Sequence, residues 1–134
     1  MHVAQFVITV KDYDEAIAFY VGVLGFELLE DTPMGNAKRW VRVRPPSANG
    51  RGCDILLARA VGDAQLASVG NQTGGRVFIF LHTANFAADY QRLKSKGVTF
   101  LGEPRREDYG DVVVFQDLYG NKFDLIGPPP PPPP

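Results

Sequence analysis

The run Phe6-Val7-Ile8-Thr9-Val10-Lys11-Asp12 is a strand that feeds a helix cap, and it has an echo 72 residues later. There, Phe78-Ile79-Phe80-Leu81-His82 leads into Asn85 and a second amphipathic stretch. Phe6 matches Phe78, Ile8 matches Phe80 and Gly25 matches Gly97. Internal similarity at a fixed offset decides architecture more firmly than local propensity. Asp12 with Glu15 three residues on forms a capping-box pattern. Ile17, Tyr20 and Leu24 then supply an apolar stripe, and Gly25 can take the left-handed conformation that stops a helix. In the second copy, Asn85 caps, Phe86, Tyr90 and Leu93 face one way, and Gly97 stops.

Three extended segments follow each helix: residues 26–30, 37–44 and 53–59 in the first half, and 98–101, 111–115 and 122–126 in the second. Turn signals stand at Pro33-Met34-Gly35, from Pro45-Pro46 to Gly52, and at Tyr119-Gly120-Asn121. Each half therefore reads βαβββ. Residues 3–60 form one module and 76–127 the other. Residues 61–75, rich in Gly, Ala and small polar residues, link them. The whole of residues 1–127 is read as one domain. A run of seven prolines closes the chain at residues 128–134. Proline lacks the N–H a sheet requires, so this tail is expected as exposed polyproline II.

Composition sets the class. The chain has 134 residues, 45% hydrophobic and 22% charged, which fits one globular domain. Lys+Arg total 14 against Asp+Glu 15, a net charge of -1, which argues against a nucleic-acid partner. No apolar stretch reaches the roughly 20 residues of a membrane span. Cys53 is the only cysteine, so no intrachain disulfide can form, and with no signal peptide in view a reducing cytoplasm is expected. Two histidines, His2 and His82, cannot build a multi-histidine metal site.

Two motifs carry a resemblance. Val10-Lys11-Asp12 leads into Ala18-Phe19-Tyr20 and Leu24-Gly25-Phe26, and the chain closes on Asp117-Leu118-Tyr119-Gly120-Asn121-Lys122-Phe123-Asp124-Leu125. Together they resemble the opening and closing motifs of the vicinal oxygen chelate superfamily, also called the glyoxalase/bleomycin resistance protein/dioxygenase superfamily. The resemblance implies an α+β fold in which two βαβββ modules form a cupped mixed β-sheet with helices on the outer face. It also implies a cavity on the concave side and a homodimer.

Strand parity assigns the faces. Ile8 and Val10 go under the helix, while Gln5 and Thr9 face the cavity. Val41 and Val43 go under, which turns Trp40 and Arg42 inward. Phe123 and Leu125 go under, which turns Asp124 inward. Metal-dependent relatives place four ligands on strands. The resemblance puts these positions at Gln5, Leu56, Val77 and Asp124. Leu56 and Val77 offer no donor, which leaves Gln5 and Asp124 as the metal candidates at these four positions, with no metal expected. A Gln5–Asp54–Asp124 set is conceivable, and His82 falls on the face opposite Val77. The two-histidine, one-glutamate triad of the dioxygenases is absent.

The function expected is metal-independent binding or sequestration of a small planar or amphipathic compound, with no cofactor. The cavity set is Gln5, Thr9, Trp40, Arg42, Leu56, Val77, Ile79, Phe115 and Asp124. The alternative is a metal-dependent lyase or isomerase of the glyoxalase type, using a divalent ion at a degenerate site.

Overall fold

The computed structural model describes residues 1–46, 50 and 52–134 of the chain. The turn expected between Pro45 and Gly52 thus lies largely outside the described residues. The chain divides into two compact units, Met1–Gln72 and Thr73–Pro134. Among the described residues no helix is long and apolar enough to cross a membrane.

The first unit runs β1 (Gln5–Val10), α1 (Tyr13–Ile17), a π-helical continuation (Ala18–Val23), β2 (Glu27–Gly35), β3 (Lys38–Arg44), β4 (Asp54–Arg59) and α2 (Gly62–Ser68). Its sheet has the order β1-β4-β3-β2, with β1 parallel to β4 and the other pairs antiparallel. The Asp12 carboxylate accepts the Glu15 amide and caps α1, as the sequence pattern predicts. Tyr13, Ala16, Tyr20 and Leu24 form the buried stripe; Ile17 is only half-buried. They pack on Ile8, Val10, Val41, Val43, Ile55 and Leu57, all essentially inaccessible. Gly25 follows at φ +79°, the left-handed stop that the sequence anticipates.

The β2–β3 connection differs from expectation. The strand continues through Pro33-Met34 to Gly35, and the turn falls on Asn36 and Ala37, with φ of +52° and +64°. A two-residue hairpin turn of this twist needs positive φ at both central residues. Asn36 tolerates that readily; Ala37 is held there by the two strands. The linker also contains structure: α2 forms within residues 61–75.

The second unit runs β5 (Val77–His82), α3 (Phe86–Ser95), β6 (Thr99–Phe100), β7 (Arg105–Glu107), β8 (Gly110–Gln116) and β9 (Lys122–Ile126). The order β5-β9-β8-β6 repeats the first unit's topology, with β7 added beside β8. The loop expected over residues 103–109 therefore contains a short strand. Asn85 caps α3 through the Ala88 amide, and Gly97 ends it at φ +82°. A chain of rings, Phe86–Tyr90–Phe100–Phe115–Phe123, runs from α3 into the sheet at centroid spacings of 4.9 to 6.2 Å. Asp117 organises the turn into β9 by accepting the Tyr119 and Asn121 amides and the Asn121 side chain. Residues 128–134 are exposed and carry no helix or strand.

Candidate functional site

In the first unit, β3 and β4 pair only from Val43↔Ile55 to Val41↔Leu57. Their outer neighbours continue: β1 pairs with β4 as far as Arg59, and β2 pairs with β3 as far as Lys38. Extending the β3–β4 register would set Arg39 directly opposite Arg59, and like charges so placed repel. Instead the Arg39 amide donates to the Tyr13 hydroxyl at 3.1 Å. The Arg39 guanidinium sits 5.2 Å from the centre of the Tyr13 ring. It also bonds Asp14 and Asp31 at 2.8 and 2.6 Å. Those two carboxylates raise the arginine's pKa, and in return its hydrogen bond holds Asp31 below the usual carboxylate range.

Where the strands part, a cleft of about 540 Å³ opens. Trp40, Leu56 and Ala58 line it from the sheet, Val61 and Gln65 from α2, and Met34 to Lys38 from the hairpin end. Helix α2 is fastened across this face of β1. The Gln72 side-chain oxygen accepts from both the amide and the hydroxyl of Thr9, and Ser68 bonds the same hydroxyl at 2.7 Å.

An ionic row lies on the same sheet face. Arg42 bonds Glu30 at 3.0 Å and Asp54 at 2.7 Å, and Arg44 takes the other Asp54 oxygen at 2.8 Å. Both oxygens of the largely buried Asp54 are thus engaged by arginines. That bonding raises the pKa of Arg44.

In the second unit, a bulge in β5 changes the parity. Val77 pairs with Lys122, but Ile79, not Phe78, pairs with Phe123, and Phe80 pairs with Asp124. Val77, Phe80 and His82 therefore share the face of Asp124, while Ile79 turns into the core at 9% exposure. Arg76, Val77 and Phe80 line an open depression there, and Phe80 is 58% exposed. Asp124 is 8% exposed, and its Oδ1 has no hydrogen-bond partner among the described residues. Burial pushes its carboxyl pKa up, and the Arg105 guanidinium partly offsets this.

The expected cavity residues separate accordingly. Trp40 and Leu56 line the cleft. Gln5 shares their sheet face, paired in register with Asp54. Thr9 is on that face, but its hydroxyl is tied to α2. Arg42 faces as expected, yet both its charge partners are internal. Two residues are corrected. Phe115 is fully buried, because its register partner is Phe123 and the two rings stack at 4.9 Å under α3. Ile79 is inverted by the bulge, which also puts His82 on the side opposite to that expected. Sequence reading missed Met34, Lys38, Arg59, Val61 and Gln65; only the Asn36-Ala37 turn, which brings the hairpin end to the cleft, was a usable signal.

The four positions that the family motif assigns to metal ligands carry a poor donor set. Leu56 and Val77 have no donor atom, and Asp54, the conceivable substitute, is held by two arginines. Among the described residues no three His, Cys, Asp or Glu side chains cluster. These residues do not fit a divalent ion.

Comparison with known proteins agrees with this architecture. The solved structure of UcmS2 is 31% identical, spans 94% of this chain and 97% of its own, and superposes with a TM-score of 0.80. TnmS3, an antibiotic binding protein from Streptomyces sp. CB03234, is 31% identical over 96% of each chain, with a TM-score of 0.74. An uncharacterized protein of Shewanella frigidimarina (strain NCIMB 400) is 50% identical over 127 residues, 94% of this chain and 90% of its own. The model of the Glyoxalase/Bleomycin resistance protein/Dioxygenase superfamily matches residues 2–125. With paired βαβββ units, both motifs in place and these relatives, the chain belongs to the Glyoxalase/Bleomycin resistance protein/Dioxygenase superfamily.

Proposed function

We propose that this protein captures a small planar or amphipathic compound in the cleft of its first unit, by binding alone and without a metal. The opening between β3 and β4, with Trp40 beside Leu56 and Ala58, carries the reading. At about 540 Å³ the cleft lies within the range of roughly 300–1,000 Å³ usual for small-molecule sites. An indole on an apolar floor favours a flat ring system, because stacking adds to the area removed from water. The likeness to TnmS3, an antibiotic binding protein, supports a ligand of the antibiotic kind. The donor-poor family positions support capture without a metal. In the second unit, the orphan Asp124 oxygen is a separate candidate contact for a ligand hydroxyl or amine.

Calorimetric titration with a tricyclic aromatic compound tests this. One compound should bind per chain, be recovered chemically unchanged, and bind about tenfold more weakly to Trp40→Ala. Equal affinity for both proteins would contradict the assignment.

A further inference from the structure

Among the described residues, those lining the cleft include three cations, Lys38, Arg39 and Arg59, and no Asp or Glu. This stands out in a chain whose acids outnumber its bases, with net charge -1. The three cations differ in their bonding. Arg39 is neutralised by Asp14 and Asp31. Arg42 and Arg44, on the neighbouring stretch of β3, are likewise held by Glu30 and Asp54. Beyond their strand pairing with Gly35 and Val10, the side chains of Lys38 and Arg59 form no ion pair or hydrogen bond with any described residue. Both stand where the ladder opens: Lys38 begins β3 directly after the Asn36-Ala37 turn, and Arg59 ends β4. The cleft thus combines an indole and an apolar floor with two cationic side chains that have no described partner, Lys38 from the strand face of Trp40 and Arg59 from that of Leu57.

We infer that the ligand of this cleft is a planar aromatic carboxylate, with the ring system against Trp40 and the acid group at Lys38 and Arg59. The inference rests on the cleft being the binding site. Arg59 can present two parallel N–H donors to a carboxylate, and Lys38 adds a second charge on a flexible stem. The site selects against cationic ligands by the same charges, since no described Asp or Glu lines it to receive them.

Anthracene-2-carboxylate and the uncharged anthracene-2-carboxamide separate the ring from the charge. Their affinities are measured by fluorescence anisotropy for the native chain and for Lys38→Gln/Arg59→Gln. Both positions are exposed, so folding is preserved. The carboxylate should bind at least about tenfold tighter than the amide, with an advantage that shrinks as salt rises. In the double variant the two affinities should agree within about twofold. If the amide binds native protein as tightly as the acid, carboxylate selection is wrong while the cleft assignment stands. If the acid keeps its advantage in the double variant, other residues supply it and the inference fails. Binding of neither probe overturns the cleft assignment and this inference with it.

Discussion

The Tyr13 hydroxyl accepts the Arg39 backbone N–H at 3.1 Å, at the point where β3 leaves β4. A helix side chain thereby satisfies an amide whose strand partner has moved away, and it keeps the cleft open without an orphan donor. Tyr13 is 6% exposed, so water cannot easily replace it. Tyr13→Phe should cost about 1–2 kcal/mol, the loss of a hydrogen bond with its donor left half-buried. Urea denaturation would show this as a lower midpoint at unchanged slope.

Ala37 sits at φ +64° in the hairpin turn beside the cleft. A left-handed conformation costs a residue with a Cβ roughly 1–2 kcal/mol, part of which glycine's greater unfolded-state freedom offsets. Ala37→Gly is therefore predicted to stabilise the protein by about 0.5–1 kcal/mol and to raise the melting temperature by a few degrees, seen by calorimetry. A lower melting temperature would mean that the turn is not strained at this residue.

Asp54 holds Arg42 and Arg44 at 2.7 and 2.8 Å. Asp54→Ala leaves two half-buried guanidinium groups without that acceptor, and should cost about 2–3 kcal/mol. The loss should be smaller at high salt, where the remaining charges are screened. Arg44→Gln, which leaves the Arg42 contact in place, should cost much less in the same denaturation assay.

Asp124 has its pKa raised, chiefly by burial. The sign follows directly. A carboxyl that binds its proton more tightly when folded penalises the fold once it ionises. The penalty is full above the folded pKa and disappears as pH falls through it. Asp124→Asn removes the charge at every pH. It should raise the melting temperature at neutral pH, with a gap over the native protein that closes toward acid pH. A gap that stays constant across the range would contradict the burial argument.

Much of this arrangement is legible from alternation alone. On β1 and β3, period-two parity correctly buries Ile8, Val10, Val41 and Val43 and turns Trp40 and Arg42 to the other face. Capping rules found Asp12 and Asn85. Parity fails at β5, where one extra residue inverts Ile79 and His82, because no residue between Val77 and Ile79 advertises a bulge. Phe115 fails for a different reason. Its face depends on pairing with Phe123, set by the Asp117–Asn121 turn rather than by β8 itself. The partners of Thr9 and Arg42 are long-range, so no local pattern shows that those side chains are occupied. The cleft arises from where a ladder stops, which only the folded register reveals.

Trp40 is the chain's single tryptophan, so its emission reports on the cleft without interference. The most direct test is to follow that emission while titrating a planar aromatic ligand into the native chain and into Ala58→Phe, which fills the cleft from its floor. Saturable quenching of Trp40 in the native chain, abolished or weakened at least about tenfold in Ala58→Phe, is predicted. Unchanged emission on ligand binding, or equal affinity in the filled variant, would place the ligand elsewhere and contradict the account.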